Sequence, residues 1–270
     1  MNRPPLAIDL YCGVGGWTEG LLAEGYRVVG FDIERHVYGE VLYPAQLVLQ
    51  DVLTLHGRQF KDAALIVASP PCQAFSYMAM PWSRAKQMAR EYRDGTRDTA
   101  QLTALFDACF RIQREACEAA GHHVPLVVEN VRGAQKWVGR ARWHYGSFYL
   151  WGDVPALMPI IRKHVKVATM GAGWYPPDHP KHVRGLAFNG HAERHLREGI
   201  KAGTARVDLW RSPSGHGQNP DGRKGKGARK AASAHIAKIP LALARHIARA
   251  WYPSSARLEI PQNDTCPREA

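Results

Sequence analysis

The sequence predicts an α/β protein built on a doubly wound, mostly parallel sheet. Short apolar runs alternate along the first half of the chain with segments of helical spacing, and the longest such segment is 99–120. Apart from Asp9 and Arg27, the runs are apolar and do not alternate with polar residues, so helices are expected on both faces of the sheet. Five runs are strand candidates: 6–11, 26–31, 47–49, 63–68 and 124–128.

Each predicted strand ends at a polar or conformationally special group. These groups are the glycines after residue 12, then Asp32, Asp51, Cys72 and Glu129. In open α/β sheets, ligands bind at the carboxyl ends of the strands, so these groups are expected to converge on one site.

The first strand is followed by the glycine loop GVGG, residues 13–16, which opens a helical stretch. Glycines let the backbone approach a nucleotide-like ligand closely, although a tight structural turn is an equally good interpretation. Asp32 could accept hydrogen bonds from ribose hydroxyls, and Asp51 is placed to meet an adenine amino group. Either carboxylate could instead cap a helix. Together the loop and the two acids favour an adenosine-type cofactor.

Cys72 lies in the segment SPPCQAFS, residues 69–76, where a strand stops at two prolines. Prolines fix φ and donate no backbone hydrogen bond, so this thiol is left at the edge where ligands bind. A stabilised thiolate there would be a nucleophile. The alternative is a buried, inert cysteine. Gln73 and Ser76 are candidates for contacts with phosphates or bases.

The composition narrows the class of protein. The 270 residues carry 36 Lys and Arg against 24 Asp and Glu, a net charge of +12, and residues 194–257 hold 14 of the basic residues against three acidic ones. A basic segment on a nearly neutral body is typical of a protein that binds a polyanion, although a solvated basic surface fits equally well. Phosphate contacts are predicted for Arg223, Lys224, Lys226, Arg229 and Lys230, with a solvated loop as the alternative.

Other sequence features argue against a membrane-spanning, secreted, disulfide-bonded or metal-binding protein. No apolar run approaches the length that spans a bilayer, and the N-terminus lacks a secretory leader, so a cytoplasmic protein is expected. The five cysteines are odd in number and irregularly spaced, which argues against a disulfide framework or a zinc knuckle. Five histidines crowd one stretch without a clear partner, so no metal is predicted: His164, His179, His182, His191 and His195.

Several segments, in this order, resemble the DNA cytosine-5 methyltransferases. They are DLYCGVGGW (9–17), FDIE (31–34), QDV (50–52), SPPCQAFS (69–76) and VVENV (127–131), and the resemblance resumes at 234–248. It implies a Rossmann-like fold that uses S-adenosyl-L-methionine.

The resemblance also implies residue roles. Cys72 would add to carbon 6 of a flipped-out cytosine, Glu129 would hold or protonate ring nitrogen 3, and Asn130 would steady the loop. Tyr11 and Ile33 would lie against the adenine, Asp32 on the ribose and Asp51 on the adenine amino group. The full set of implied cofactor contacts is Tyr11, Gly13, Gly15, Gly16, Trp17, Asp32, Ile33, Asp51, Val52 and Pro70.

The sequence departs from the family in several places, and the block that normally precedes the final helix is not recognisable. The usual Gln-x-Arg-x-Arg block is reduced to Arg140 and Arg142 without the glutamine, so which arginine meets the flipped base stays open. The Gly-Asn pair before the last helix is absent. The expected organisation is a catalytic domain at 1–151 and 233–252, a small basic target-recognition region at 152–232 and a disordered tail at 253–270.

The leading hypothesis is a monomeric DNA (cytosine-5-)methyltransferase that acts on double-stranded DNA, of the kind found in restriction-modification. A transfer RNA methyltransferase with the same chemistry is the first alternative. A catalytically silent DNA-binding relative is the second. A nicotinamide-dependent oxidoreductase, which rests on the glycine loop alone, is the third.

Overall fold

The structure, a computed structural model, describes residues 3–37, 42–75, 82–146, 148–158 and 237–253. Most of these belong to one compact unit, Met1–His36, Tyr43–Pro159 and Leu241–Ala270, while a second unit comprises Val37–Leu42 and Ile160–Pro240. Nearly all of the predicted recognition region lies outside the described residues. So do Ser76, the histidine cluster, the basic run 223–230 and the predicted tail after residue 253.

A seven-stranded sheet forms the centre of the first unit. Its strands are β1 Leu6–Leu10, β2 Arg27–Asp32, β3 Gln46–Leu49, β4 Ala63–Ala68, β5 Leu126–Asn130, β6 Trp143–Tyr145 and β7 Phe148–Gly152. The order across the sheet is β3-β2-β1-β4-β5-β7-β6. Strands β1 to β5 pair in parallel, and β7 runs antiparallel to both β5 and β6. This confirms the predicted doubly wound, mostly parallel sheet.

The five predicted strands are all present, with ends that differ from the predicted ones by two residues or fewer. The antiparallel hairpin of β6 and β7 was not predicted. Its sequence, WHYGSFYLWG, has the aromatic enrichment and central glycine typical of a hairpin. That local signal was available and was overlooked.

The part of the chain that the structure describes contains five α-helices: α1 Gly16–Ala23, α2 Trp82–Arg93, α3 Thr99–Ala120, α4 Gln135–Val138 and α5 Leu241–Ala250. Helix α3 has the predicted bounds. It begins at Asp98, whose side chain accepts a hydrogen bond from the Ala100 N–H at 2.8 Å, and it ends at Gly121 with φ of 72°. Its apolar face buries Phe106 and Ile112 against the sheet.

Helices α1 and α5 pack against each other although the sequence separates them widely. Gly20 makes this possible, because a Cβ there would lie 2.3 Å from the Cβ of Ala244. Glu24 at the end of α1 accepts hydrogen bonds from Arg245 and Arg249 at 2.5 and 2.7 Å. Helix α5 therefore packs against α1, the helix that begins at the glycine loop.

Candidate active site

The strand order changes direction between β1 and β4, where a ligand crevice is expected in an open α/β sheet. Leu10 at the end of β1 is paired with Phe31 on one side and Ala68 on the other. The Ser69 N–H also donates to the Leu10 carbonyl at 3.1 Å. The glycine loop, Asp32 and the start of the Pro-Pro-Cys segment consequently lie at the same edge of the sheet.

Asp32 holds the glycine loop in place. Its Oδ2 accepts a hydrogen bond from the Gly13 N–H at 2.9 Å, and its Oδ1 accepts one from the Glu34 N–H at 3.3 Å. The ring of His36 lies 3.3 Å from the same Oδ1. The predicted ribose contact of Asp32 must therefore share a carboxylate that already orders the backbone of the loop.

The loop glycines serve different purposes. Gly13 has φ of 52°, and a Cβ added there would meet nothing within 4 Å. Gly15 has φ of 81°, and its Cβ would lie 2.7 Å from Cδ of Pro44. Gly15 is thus required by the protein's own packing, whereas Gly13 faces open space. The open space at Gly13 is large enough for a ligand to lie against the loop at this point.

The other implied cofactor residues divide into exposed and buried ones. Ile33 is 73% exposed, an unusual position for an isoleucine and one open to a flat ring. Val52 is 2% exposed, and so is Trp17, whose Nε1–H donates to Ser69 Oγ at 3.0 Å. Trp17 and Val52 shape the site from within, and their side chains are closed to a cofactor.

Asp51 and Tyr11 have partners within the fold. The Asp51 side chain accepts a hydrogen bond from the Leu53 N–H at 2.9 Å and caps the short 3-10 helix Val52–Thr54, as in the helix-cap interpretation. Tyr11, at φ of 56°, donates its hydroxyl hydrogen bond to the Leu105 carbonyl at 2.8 Å. This bond fixes the ring of Tyr11 between the glycine loop and α3.

Cys72 follows β4 and is half-buried, while Cys12, Cys109 and Cys117 are buried. Burial raises the pKa of the Cys12 and Cys109 thiols well above the ordinary range, which makes those thiols inert. Among the described cysteines, Cys72 alone combines partial exposure with a place at the ligand-binding edge. Gln73 beside it is exposed.

Glu129 and Asn130 end the neighbouring strand β5. Glu129 is 9% exposed, and Asn130 is 1% exposed. Asn130 donates from Nδ2 to the carbonyl oxygen of Pro70 at 3.0 Å, and its Oδ1 accepts a hydrogen bond from the Val131 N–H at 2.8 Å. The strand that bears Glu129 is thereby tied to the segment that bears Cys72, as expected if Asn130 steadies the loop.

A cavity of about 350 Å³ opens between the Pro-Pro-Cys segment and α3. Pro70 and Gln73 line one side of it, and Leu102 and Leu105 line the other. The lining is largely apolar with a few polar groups, which is the usual composition of a small-molecule site. The cavity lies beside Cys72, and one of its lining residues, Leu105, accepts the hydrogen bond from Tyr11.

Sequence reasoning missed a polar network beneath the glycine loop. Thr18 Oγ1 donates to Asp9 Oδ2 at 2.6 Å and lies 2.5 Å from the Tyr43 hydroxyl. Asp9 is fully buried, and its Oδ1 has no hydrogen-bond partner among the described residues. Burial raises the pKa of Asp9 to about 7. The available signal was an acidic residue inside an otherwise apolar strand.

The described ranges contain no cluster of three or more His, Cys, Asp or Glu side chains that could hold a metal ion. Within those same ranges, no helix is both long and apolar enough to cross a membrane.

Strand order, the antiparallel β7 and the glycine loop after β1 define a Rossmann-like methyltransferase fold. Residues 6–136 match the model of the C-5 cytosine-specific DNA methylase family. S-adenosylmethionine is the methyl donor of that family, which sets aside the nicotinamide alternative. No curated protein matches the chain significantly.

Several solved structures are similar to the chain. One is described as a DNA modification methyltransferase encoded within an E. coli prophage (23% identity, TM-score 0.32, covering 48% of this chain and 33% of that one). Another is the Entamoeba histolytica methyltransferase EhMeth, with 14% identity and a TM-score of 0.34, covering 51% of this chain and 41% of that one. A third is the S. pombe Dnmt2 methyltransferase, with 18% identity and a TM-score of 0.32, covering 51% of this chain and 37% of that one. The chain thus spans between a third and two fifths of the length of these proteins.

Proposed function

We propose that the protein is a monomeric methyltransferase that modifies carbon 5 of cytosine in duplex DNA. The observation that carries this proposal is the position of Cys72. Cys72 is half-buried and follows β4 at the ligand-binding edge, and the Asn130–Pro70 hydrogen bond ties its segment to the strand that bears Glu129. A nucleophile and an acid on adjacent strand ends are what covalent activation of a pyrimidine ring requires.

The residues at the ends of β1 and β2 fit S-adenosylmethionine. The open space at Gly13 admits a ligand against the backbone, Asp32 offers a carboxylate to ribose hydroxyls, and exposed Ile33 offers an apolar surface to adenine. When bound, this cofactor supplies an electrophilic methyl group. The cavity lined by Leu102 and Leu105 adjoins the same region.

Cytosine carbon 5 is a poor nucleophile until the ring is activated. The Cys72 thiolate forms a bond to carbon 6, and the electron pair of the 5,6 double bond moves into the ring toward nitrogen 3. The Glu129 carboxyl holds a proton at nitrogen 3 and stabilises the charge that develops there. Carbon 5 then carries the nucleophilic electron pair of an enamine. Once carbon 5 has taken up the methyl group, a base removes its proton, and the electron pair of that bond re-forms the 5,6 double bond. The sulfur–carbon bond breaks and restores the Cys72 thiolate, while nitrogen 3 returns its proton to Glu129.

A cytosine inside a duplex hides carbon 6 from a thiol, so the target base has to leave the stack. Gln73 is exposed beside Cys72 and would contact the opened strand. The basic run 223–230 would neutralise phosphates and position the duplex without reading its sequence.

The test is transfer of a labelled methyl group to mixed-sequence duplex DNA, with transfer RNA in parallel. We expect label in cytosine of the DNA, placed in one short motif by deamination sequencing. Cys72→Ser should abolish transfer, while the control Cys266→Ser leaves the rate unchanged. Label in transfer RNA alone would move the function to RNA. Transfer at the wild-type rate by Cys72→Ser would overturn the covalent mechanism.

A further inference from the structure

The hairpin of β6 and β7 and the segment leading into it have an unusual composition. Residues 131–152 contain four basic side chains and no acidic one. They also contain six aromatic side chains, in addition to His144. Cations interleaved with aromatic rings are the combination by which proteins hold unpaired nucleotides, since the rings stack on bases and the cations meet phosphates.

The strand register places this hairpin beside the candidate active site. Trp143 pairs with Leu150, and Leu150 pairs with Glu129. Residues paired across neighbouring strands point to the same face of a sheet, so Trp143 and Glu129 share a face. They are separated by two strand spacings, about 10 Å. Tyr145 lies two positions beyond Trp143, past the end of β5.

The outer strand of the hairpin carries rings on both faces, with Trp143 and Tyr145 on one face and His144 on the other. The His144 ring stacks on Tyr149 with a centroid separation of 4.9 Å, and the Trp143 ring lies 6.1 Å from that of Tyr145. Trp143 and Tyr145 are only half-buried, and His144 is exposed. Cross-strand packing accounts for the inner rings such as Phe148, but it leaves the faces of the outer ones partly open.

Cations lie along the same edge. Arg140 and Arg142 are exposed, and the Arg142 N–H donates to the Leu150 carbonyl at 2.9 Å, which holds the segment before β6 against β7. The Lys136 ammonium lies 4.6 Å from the centre of the Trp137 ring. That ring meets Tyr92 of α2 at 5.1 Å. The basic surface of the hairpin thereby continues toward α2.

We propose that the β6–β7 hairpin binds an unpaired nucleotide of the nucleic-acid substrate. The base stacks on Trp143 and Tyr145, and Arg140 and Arg142 pair with its phosphates. The inference rests on the proposed function only in that the partner is a nucleic acid. Expelling the target base leaves neighbouring bases without their stacking partners, and an aromatic edge about 10 Å from Glu129 restores that stacking.

Binding of the full chain to a fluorescein-labelled 12-nucleotide single strand, measured by anisotropy, tests the proposal. A paired duplex of the same length serves as the comparison probe. Trp143→Leu should weaken single-strand binding about 5- to 150-fold, the range found for loss of one stacked base, and Trp143→Phe should restore most of it. The change in duplex affinity should be much smaller.

The arginines are tested by the double variant Arg140→Gln/Arg142→Gln. It should flatten the dependence of single-strand affinity on salt by roughly two phosphate contacts. Arg27→Gln, on β2 in the opposite half of the sheet, should change nothing. Unchanged single-strand affinity in both hairpin variants would overturn the proposal. Equal weakening on both probes, with a lowered melting temperature, would make Trp143 merely structural and would also overturn it.

These binding experiments use no methyl donor, so they are independent of catalysis. A chain that transfers no methyl group but loses single-strand affinity in Trp143→Leu would contradict the proposed function and support the hairpin surface. If Trp143→Leu and the double arginine variant both methylate DNA normally and keep their single-strand affinity, the result would support the proposed function and contradict the hairpin surface.

Discussion

Asn130 and Pro70 lie 60 positions apart in the sequence and are joined by a 3.0 Å hydrogen bond from the Asn130 amide to the Pro70 carbonyl. Both residues are buried. Pro70 precedes Cys72 by two residues, and Asn130 follows Glu129 directly. One bond therefore fixes the relative positions of the two groups to which the proposed chemistry assigns the reaction.

Replacing Asn130 with alanine should uncouple these strand ends. The Pro70 carbonyl would be left buried without a partner, which costs about 1–3 kcal/mol in the free energy of unfolding. We expect the single-turnover methyl-transfer rate to fall more than tenfold while DNA affinity stays unchanged. Gln113→Ala is the control, because it also removes a buried amide bond, to the Val124 carbonyl at 3.0 Å. Equal rates in the two variants would contradict this role of Asn130.

Asp9 should make stability depend on pH. Its pKa is raised by burial from 3.8 to about 7 in the folded chain. The folded state therefore retains a proton that the unfolded state releases. The resulting stabilisation is complete below pH 3.8, declines as pH rises and is lost above about 7.

The side chain in Asp9→Asn cannot titrate. The difference in unfolding free energy between wild type and this variant should therefore change by a few kcal/mol between pH 4 and pH 8. Wild type should lose stability relative to the variant as the pH rises. Urea unfolding at several pH values measures it. A difference that stays constant with pH would show that Asp9 does not titrate in this range.

The two loop glycines should respond differently to alanine. Gly13→Ala adds a methyl group into open space and pays only for the left-handed backbone, about 1–2 kcal/mol. Gly15→Ala pays the same cost and in addition forces its Cβ against Pro44. Thermal unfolding should therefore rank Gly15→Ala as the less stable variant. Gly95→Ala, with φ of 73° and open space, controls for backbone strain alone.

Gly13→Ala should weaken cofactor binding although it costs less stability than Gly15→Ala. Calorimetric titration with S-adenosylmethionine should find weaker binding in Gly13→Ala than its small loss of stability explains, because the added methyl group occupies the ligand's space. Normal affinity in a folded Gly13→Ala protein would place the cofactor elsewhere.

His123 and Asp153 should stabilise the chain up to alkaline pH. The two side chains are 3.1 Å apart, and the hydrogen bond to Asp153 raises the pKa of His123 to about 10. Burial acts to raise the pKa of Asp153, but the His123 bond helps to lower it on balance. This stabilisation is complete below pH 6.5 and is lost as pH rises through 10. The melting temperature of wild type should thus fall more steeply from pH 8 to 10.5 than that of His123→Gln.

The strands and α3 were predictable because their signals are local. Apolar runs fix β1 to β5, and the helical spacing after Asp98 fixes α3. The gathering of Asp32, Cys72 and Glu129 at one edge followed from topology. By contrast, the Asp9–Thr18–Tyr43 network depends on where the chain after β2 folds back, and no local pattern encodes that. The burial of Trp17 likewise depends on Ser69, which is distant in sequence.

The packing of α1 on α5 also has a consequence for synthesis. Gly20 meets Ala244, and Glu24 binds two arginines of α5, so the helix that the glycine loop opens lacks its partner until residue 250 has been made. A nascent chain leaving the ribosome therefore holds its first helix partly uncovered while more than two hundred further residues are translated. Packing of α1 therefore requires synthesis through α5, and translation products that stop before residue 241 would leave α1 without this partner.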